Sequence, residues 1–431
     1  MAHDRRRFLG QLAGAVGAAS ALPFFETQQG RSFLRLMTDT KDLPAGDFVN
    51  DESFWYQVQQ AYTVSPSVMN LNNGGVCPQP RVVQEAVERY NRLSNEAPSY
   101  YMWQILDQGR EPLRRKLADL AGCSPDEIAI NRNASEALET VIFGLRLQKG
   151  DEVVLTKQDY PNMINAWKQR EKRDGIVLKW LSFDFPIEDK NQIVNTFAGA
   201  FTAKTKVVHI THAINWMGQL LPAREIAAEA KKRGIEVLVD GAHSFAHFDY
   251  KIPDLDCDYF GTSLHKWLCA PFGSGMLYVR KEKIAQLYPL LAAADPESPD
   301  IRKFESLGTR SFAIEHAIGQ AINFHQMIGS ERKFKRLHFL KNYWAEQANE
   351  LPGVKVATSL KPEFGGAIGL LTMEGKKPEE ISSFLFSKYK IHTVSIVWEN
   401  ISGVRITPNV YTTQSDLDVL VGAIRQLQKG G

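Results

Sequence analysis

Ile235-Glu236-Val237-Leu238-Val239-Asp240-Gly241-Ala242-His243, and then Tyr259-Phe260-Gly261-Thr262-Ser263-Leu264-His265-Lys266-Trp267, decide how this chain folds. Ile235 to Val239, apolar but for Glu236 and closed by Asp-Gly, has the composition of a buried strand. Tyr259-Phe260 opens a second such stretch. Upstream, Val207-Val208-His209-Ile210 reads as another strand, and a helix opened by Pro222 and closed by Gly234 separates it from Ile235. Glu152 to Leu155 and Met276 to Val279 complete the series. Strands alternating with helices give an α/β domain around a largely parallel sheet. In such a sheet a ligand binds beyond the carboxyl ends of the strands. Asp240, His243 and Lys266 all follow strand ends, so they fall where a site forms.

Further out, Leu113, Leu117, Leu120 and Ala121 recur at helical spacing before the stop at Gly122, and Leu138, Val141, Ile142 and Leu145 mark a second helix. After about Ser311 the pattern changes. Helical stretches run from Phe312 to about Leu351, and strands are predicted at Val354–Val356 and Ala367–Thr372. A helix after Pro378 follows, then strands near His392–Val397 and Val404–Thr407, and a last helix from about Ser415. This predicts a large α/β domain over residues 53–311 and a small C-terminal α+β domain over 312–431. Residues 23–52 are polar and mixed, and are expected to be a linker or arm.

Composition excludes several classes. A net charge of +2 leaves no basic excess for neutralising phosphates, so a nucleic-acid partner is not expected. The four cysteines, Cys77, Cys123, Cys257 and Cys269, include no CxxC pair, which favours free thiols over a metal site or a disulfide framework. The N-terminus differs in kind. Arg5-Arg6-Arg7-Phe8-Leu9 precedes an apolar run from Leu12 to Leu22 with Ala19-Ser20-Ala21 before Pro23. Residues 1–22 therefore read as a secretory signal, resembling the twin-arginine type. The expectation is a periplasmic or exported protein, cytoplasmic if the leader does not function. The run is too short for a stable bilayer span, and no other stretch is long enough.

Chemistry narrows the reading further. As isolated residues, Asp240 and Lys266 make an ordinary ion pair. Together at one sheet edge they also meet the two demands of pyridoxal-5′-phosphate (PLP). That cofactor needs a lysine to hold it as a Schiff base, and an acid facing its pyridine nitrogen to keep the ring an electron sink. Ser263 and His265 flank the lysine with groups suited to a phosphate. Asn133-Ala134-Ser135-Glu136-Ala137 follows the strand Ile128–Ile130 and opens a helix, where backbone N–H groups and the Ser135 hydroxyl suit an anion. Ser135 as a simple N-cap is compatible with this.

These ordered signatures resemble the class V aminotransferase family of fold-type I PLP-dependent enzymes. Asp240-Gly241-Ala242-His243 and His265-Lys266-Trp267-Leu268-Cys269-Ala270-Pro271 are most similar to its isopenicillin-N epimerase-like branch. The resemblance runs from about Phe54 to Leu427. It implies that Lys266 forms the Schiff base, that Asp240 pairs with the pyridine nitrogen, and that His243 and Asn215 lie near the cofactor's phenolic oxygen. It further implies that Tyr160 stacks on the ring, that Ala134, Ser135, Ser263 and His265 bind the phosphate, and that Thr309 reaches the phosphate of a partner subunit. A homodimer with a shared active site is thus expected. By the same resemblance Arg405, in Gly403-Val404-Arg405-Ile406-Thr407-Pro408, clamps the substrate's α-carboxylate, a task that suits its two-pronged donor set.

Leu71-Asn72-Asn73-Gly74-Gly75 and Tyr100-Tyr101-Met102-Trp103 are expected to line the substrate side, with Asn73 as the candidate contact. The aromatic cluster reads equally well as dimer-interface packing. The family's cysteine desulfurases use a nucleophilic cysteine shortly before the carboxylate-binding arginine, and here no cysteine follows Cys269. The expected activity is therefore PLP chemistry on an amino acid through a Cα carbanion, epimerase-like or transaminating. A β-eliminating carbon–sulfur lyase is the alternative. A non-catalytic exported binding protein on the same fold is the rival from another class, though it has no use for Lys266, Asp240 and Arg405 together.

Overall fold

A computed structural model of the chain describes residues 23–430. The expected leader at residues 1–22 lies outside the described residues. Thirteen strands form among those described: β1 (Met69–Asn70), β2 (Ile128–Asn131), β3 (Glu152–Thr156), β4 (Val177–Leu181), β5 (Thr205–Thr211), β6 (Glu236–Asp240), β7 (Tyr259–Ser263), β8 (Gly275–Val279), β9 (Val354–Val356), β10 (Gly369–Met373), β11 (Ile391–His392), β12 (Val394–Trp398) and β13 (Ile401–Ile406).

Seven of them build the main sheet in the order β2-β8-β7-β6-β5-β3-β4, with β8 alone running antiparallel to its neighbours. The apolar runs that predicted buried strands are buried: every residue of β7 and β8 is inside, as is β6 from Val237 onward. Helices cover both faces, which is why these strands carry apolar residues on alternate and intervening positions alike. On one face Ala137, Leu138 and Val141 pack with Trp167 and Leu238, and on the other Val208, Val239 and Phe260 pack with Ile226. The helix Arg110–Ala121 ends where predicted, with Gly122 left-handed at φ 76°. Among the described residues, no helix is long and apolar enough to cross a membrane.

A second sheet, β12-β13-β10-β9, is antiparallel and forms the small domain's frame. Two expectations of domain layout are corrected here. Residues 23–52 are not a loose linker. They form the helices Pro23–Glu26 and Gln28–Asp39 and a short turn at Ala45–Phe48, with Phe24, Phe33, Met37 and Phe48 buried in the large core. The boundary near residue 311 also moves. The helix Phe312–Ile328 packs along Arg81–Glu96 and sends Ala317, Ile318, Ala321 and Ile322 into the large core. The small domain's own core draws on the next helix, Ser330–Asn349, through Leu340, Trp344, Ala345 and Ala348. Leu71 joins that small core from far upstream, because β1 pairs in parallel with β11.

Candidate active site

A cavity of about 420 Å³ opens beyond the carboxyl ends of β5, β6 and β7, where the topology places a ligand site. Ala134, Ser135, Tyr160, Asn215, Asp240, His243, Ser263, His265, Lys266 and Arg405 all line it. These are the expected site residues except Thr309 and Asn73. The small domain contributes Val394, Ile396 and Arg405.

Lys266 follows β7 on the loop of residues 264–274 that leads to β8. Its Nζ stands 2.9 Å from His243 Nε2 and 5.9 Å from the centroid of the Tyr160 ring. Burial pushes the Lys266 amine down to about 8, helped by Arg405 and opposed by Asp240. Burial also holds His243 well below its ordinary value, with Lys266 and Arg405 adding to the effect. Trp267 Nε1 donates to His243 Nδ1 at 3.4 Å, which places the proton of a neutral imidazole on Nε2. In its uncharged form the lysine amine accepts from His243 Nε2. The arrangement is braced from behind. His247 stacks on Trp267 at 3.7 Å, donates from Nδ1 to the His243 carbonyl, and accepts from Ala367 N–H.

Asp240 ends β6, and its Oδ1 accepts from Ala242 N–H at 2.9 Å. Burial pushes this carboxyl up, while His209, the Ala242 amide and Lys266 pull it back. A cationic N–H set against it would favour the anion.

The anion cradle is built by the turn before the helix Ala134–Gly144. Ser263 Oγ accepts from Ala134 N–H at 2.9 Å, tying the helix start to the end of β7. Asn162 Nδ2 reaches Ser135 Oγ at 3.5 Å. A Cβ at Gly275 would stand 2.6 Å from the Asn133 backbone, so β8 passes under the turn only as glycine. His265 donates from Nδ1 to the Ser274 carbonyl at 3.2 Å, leaving Nε2 for the cavity. Burial and Lys266 hold that ring neutral, and an anion in the cradle would reverse the bias.

Arg405 is buried, with its Nη1 donating to the Asn215 carbonyl at 2.8 Å and its Nη2 to Asn72 Oδ1 at 2.9 Å. Its Nε and the Asn215 Oδ1 are buried without a partner among the described residues. No carboxylate among the described residues lies within ion-pair distance of it. Burial without a counter-charge lowers it to about 10. Gly74 lies against this group: a Cβ there would stand 3.2 Å from Thr407 Oγ1 and 3.4 Å from Arg405 Cζ. An amine, a carboxylate facing it, an anion cradle and orphaned buried donors and acceptors in one cavity fit PLP together with an α-carboxylate.

One expected contact falls elsewhere. Asn73 is fully buried and faces away: Nδ2 donates to the carbonyls of Asn70 and Thr407, and Oδ1 accepts from Tyr411 OH. Its neighbour Asn72 makes the site contact instead. Thr309, expected to act on a partner's phosphate, is exposed and does not line this chain's own cavity. It lies just past Glu305, which is anchored inside by Arg110 and Arg114. Tyr100 and Trp103 are exposed and also lie off the cavity, whereas Gly74 and Gly75 line it. Thr211, Trp216, Val394 and Ile396 line the cavity too, and sequence reasoning misses them. Trp216 alone carries a signal, since it adjoins Asn215 in the same motif.

The aminotransferase class-V family model matches residues 69–420. An isopenicillin N epimerase of Streptomyces clavuligerus is 28% identical over 392 residues, covering 86% of this chain and 98% of its own. A probable cysteine desulfurase of Halalkalibacterium halodurans is 26% identical over 398 residues, covering 86% and 96%. Among solved structures, an apo cysteine desulfurase from Thermococcus onnurineus NA1 has a TM-score of 0.77 at 22% identity, covering 87% of this chain and 98% of that one. A cystine C–S lyase in complex with cysteine persulfide has a TM-score of 0.75 at 22% identity, covering 84% and 98%. Likeness at that identity speaks to the fold. The family match spans most of the chain and all of the cavity's residues, and this protein belongs to the class-V aminotransferases, a family of PLP-dependent enzymes.

Proposed function

We propose that this enzyme binds an α-amino acid by its carboxylate on Arg405 and labilises the Cα proton, in the manner of an epimerase. The observation that carries the reading is a buried guanidinium with free donors and no counter-charge, in the same cavity as a lysine amine that burial brings down to about 8. Lys266 and the Asn133–Ser135 turn would hold PLP, with Asp240 against its ring nitrogen. When bound, the cofactor supplies an aldehyde for amines and a ring that withdraws the electron pair left at Cα.

Arg405 fixes the amino acid's carboxylate and so sets which Cα bond is oriented for cleavage. Lys266, with an amine brought near neutral pH by burial, is the base that takes the Cα proton. His243, donating to it at 2.9 Å, orients the amine's lone pair. Where the proton returns decides between epimerisation and transamination.

A second reading, β-elimination of a sulfur leaving group, would use the same carboxylate contact and the same base at Cα. Cysteine desulfuration by a cavity nucleophile is not supported, because neither Cys77 nor Cys269 lines the cavity and both are buried. Parallel assays of α-proton exchange, pyruvate release and keto-acid formation across amino acids separate these outcomes. Arg405→Lys is expected to lower kcat/KM on α-amino acids about 10- to 100-fold, because a point charge cannot replace the two-pronged contact. Amines without a carboxylate lose little. Unchanged kinetics on α-amino acids would place the carboxylate elsewhere.

Two further expectations stand as proposals. The exposure of Thr309, and of Tyr100, Trp103 and Phe272, supports a homodimer in which Thr309 completes the partner's cradle. Light scattering that returns a monomer mass for the loaded enzyme argues against it. Export rests on Arg5-Arg6 and the run that follows. Changing both arginines to lysine retains an exported protein in the cytoplasm, and an equal periplasmic yield would remove the claim.

A further inference from the structure

We infer that the substrate's side chain is uncharged and apolar, and that the hairpin β12–β13 with Trp216 selects it. This rests on the reading of Arg405 as the α-carboxylate site. In the antiparallel pairing, Val394 stands directly opposite Arg405, and Ile396 opposite Gly403. Opposed residues project to the same face, as do alternate residues along a strand. Val394, Ile396 and Trp398 therefore form a row on the face that carries the arginine. The row begins beside the carboxylate clamp, where a substrate's side chain must leave Cα.

The row continues onto the large domain. Trp398 stacks on Trp216, with ring centroids 5.2 Å apart and planes 22° from parallel. Both indoles are pinned by their polar ends: Trp216 Nε1 donates to the Gln158 carbonyl and Trp398 Nε1 to the Lys157 carbonyl, each at 2.9 Å. Their N–H groups are thus spent on the backbone just before Tyr160, and Trp216, with Val394 and Ile396, lines the cavity as an apolar wall.

The cavity's charges leave nothing for a second ionised group. Among the described residues its lining contains one carboxylate, Asp240, and two cationic side chains, Lys266 and Arg405, beside two neutral histidines. Asp240 and Lys266 are assigned to the cofactor, and Arg405 to the α-carboxylate. A carboxylate or ammonium on the side chain would be desolvated against Val394 and Ile396 without a partner, at a cost of at least about tenfold in a discriminating step. A side-chain carboxylate that takes Arg405 for itself displaces the α-carboxylate and turns Cα out of line.

The test follows α-proton exchange in heavy water by NMR with the cofactor-loaded enzyme. L-leucine, L-methionine and L-phenylalanine are compared with L-glutamate and L-lysine. The expected result is a kcat/KM at least about tenfold higher for the apolar set. Val394→Lys, which places a cation in the wall, should shift the glutamate-to-leucine ratio at least about tenfold toward glutamate. If the charged substrates match the apolar ones in the wild type, the wall does not select and the inference is overturned. If the variant folds and loads but leaves the ratio unchanged, the side chain lies elsewhere, and the inference is overturned as well. Exchange from no amino acid at all, by an enzyme that retains cofactor, removes instead the α-amino-acid reading of Arg405 and this inference with it.

Discussion

Lys266→Ala lowers turnover by at least about 10³-fold, because it removes at once the amine that captures the cofactor and the base that works at Cα. Borohydride treatment of the wild type should fix the cofactor to the peptide bearing Lys266, and the variant should yield no such adduct by mass spectrometry. The same amine gives a pH signature. Only its uncharged form adds to an aldehyde, and burial brings its pKa to about 8. Capture of added cofactor by the apo-protein should therefore accelerate about tenfold between pH 7 and pH 9, as the uncharged fraction rises through that value. The sign is fixed: a rate that falls over this interval would mean that another group captures the aldehyde. A variant that keeps wild-type turnover would end the assignment of Lys266.

Asp240→Ala should leave capture by Lys266 nearly intact while α-proton exchange falls on the order of 10²- to 10³-fold. The carboxylate lies at the end of β6, buried, with one oxygen on the Ala242 amide. It is the only carboxylate among the described residues lining the cavity, so none replaces it as the partner of a protonated ring nitrogen. Without that partner the ring is a poor home for electrons from Cα. Comparing retained cofactor with exchange rate separates this role from a folding defect, because a misfolded variant loses both. Exchange at the wild-type rate would give Asp240 another task.

The strand ends are legible in the sequence because the buried strands are mainly apolar, so the polar residues that follow each apolar run lie near the sheet's edge. Asp240, Ser263 and Lys266 are found in that way, and the sheet brings them into one cavity. Resemblance supplies roles for Tyr160, Asn215 and Arg405, which come from three separate loops and strands that no periodicity connects. Where sequence and structure part, the reasons are physical. In Asn72-Asn73 the two amides are chemically identical, and only the path of the turn decides which reaches Arg405. It sends Asn72 to the guanidinium and buries Asn73 against Thr407 and Tyr411. Residues 23–52 average to a polar composition, yet Phe24, Phe33, Met37 and Phe48 are spaced so that short helices bury them. Averaging erases that amphipathic signal. The substrate wall is invisible for the opposite reason: Val394 and Ile396 read as ordinary strand residues, and their meaning comes from the register with Arg405.

The pairing of β1 with β11 ties the small domain together in time as well as in space. Leu71 lies in a core otherwise built from residues 340–427. Around it, Thr407 N–H donates to the Leu71 carbonyl and Asn73 N–H to the Thr407 carbonyl. A ribosome delivers Leu71 more than 250 residues before Leu340, so the segment must wait, unpaired, until most of the protein has emerged. The wait ends at Gly74, which lies against Arg405. Arg405, on β13, can therefore meet Asn72 only after the C-terminal strands have been made, long after the lysine and the aspartate of the same cavity.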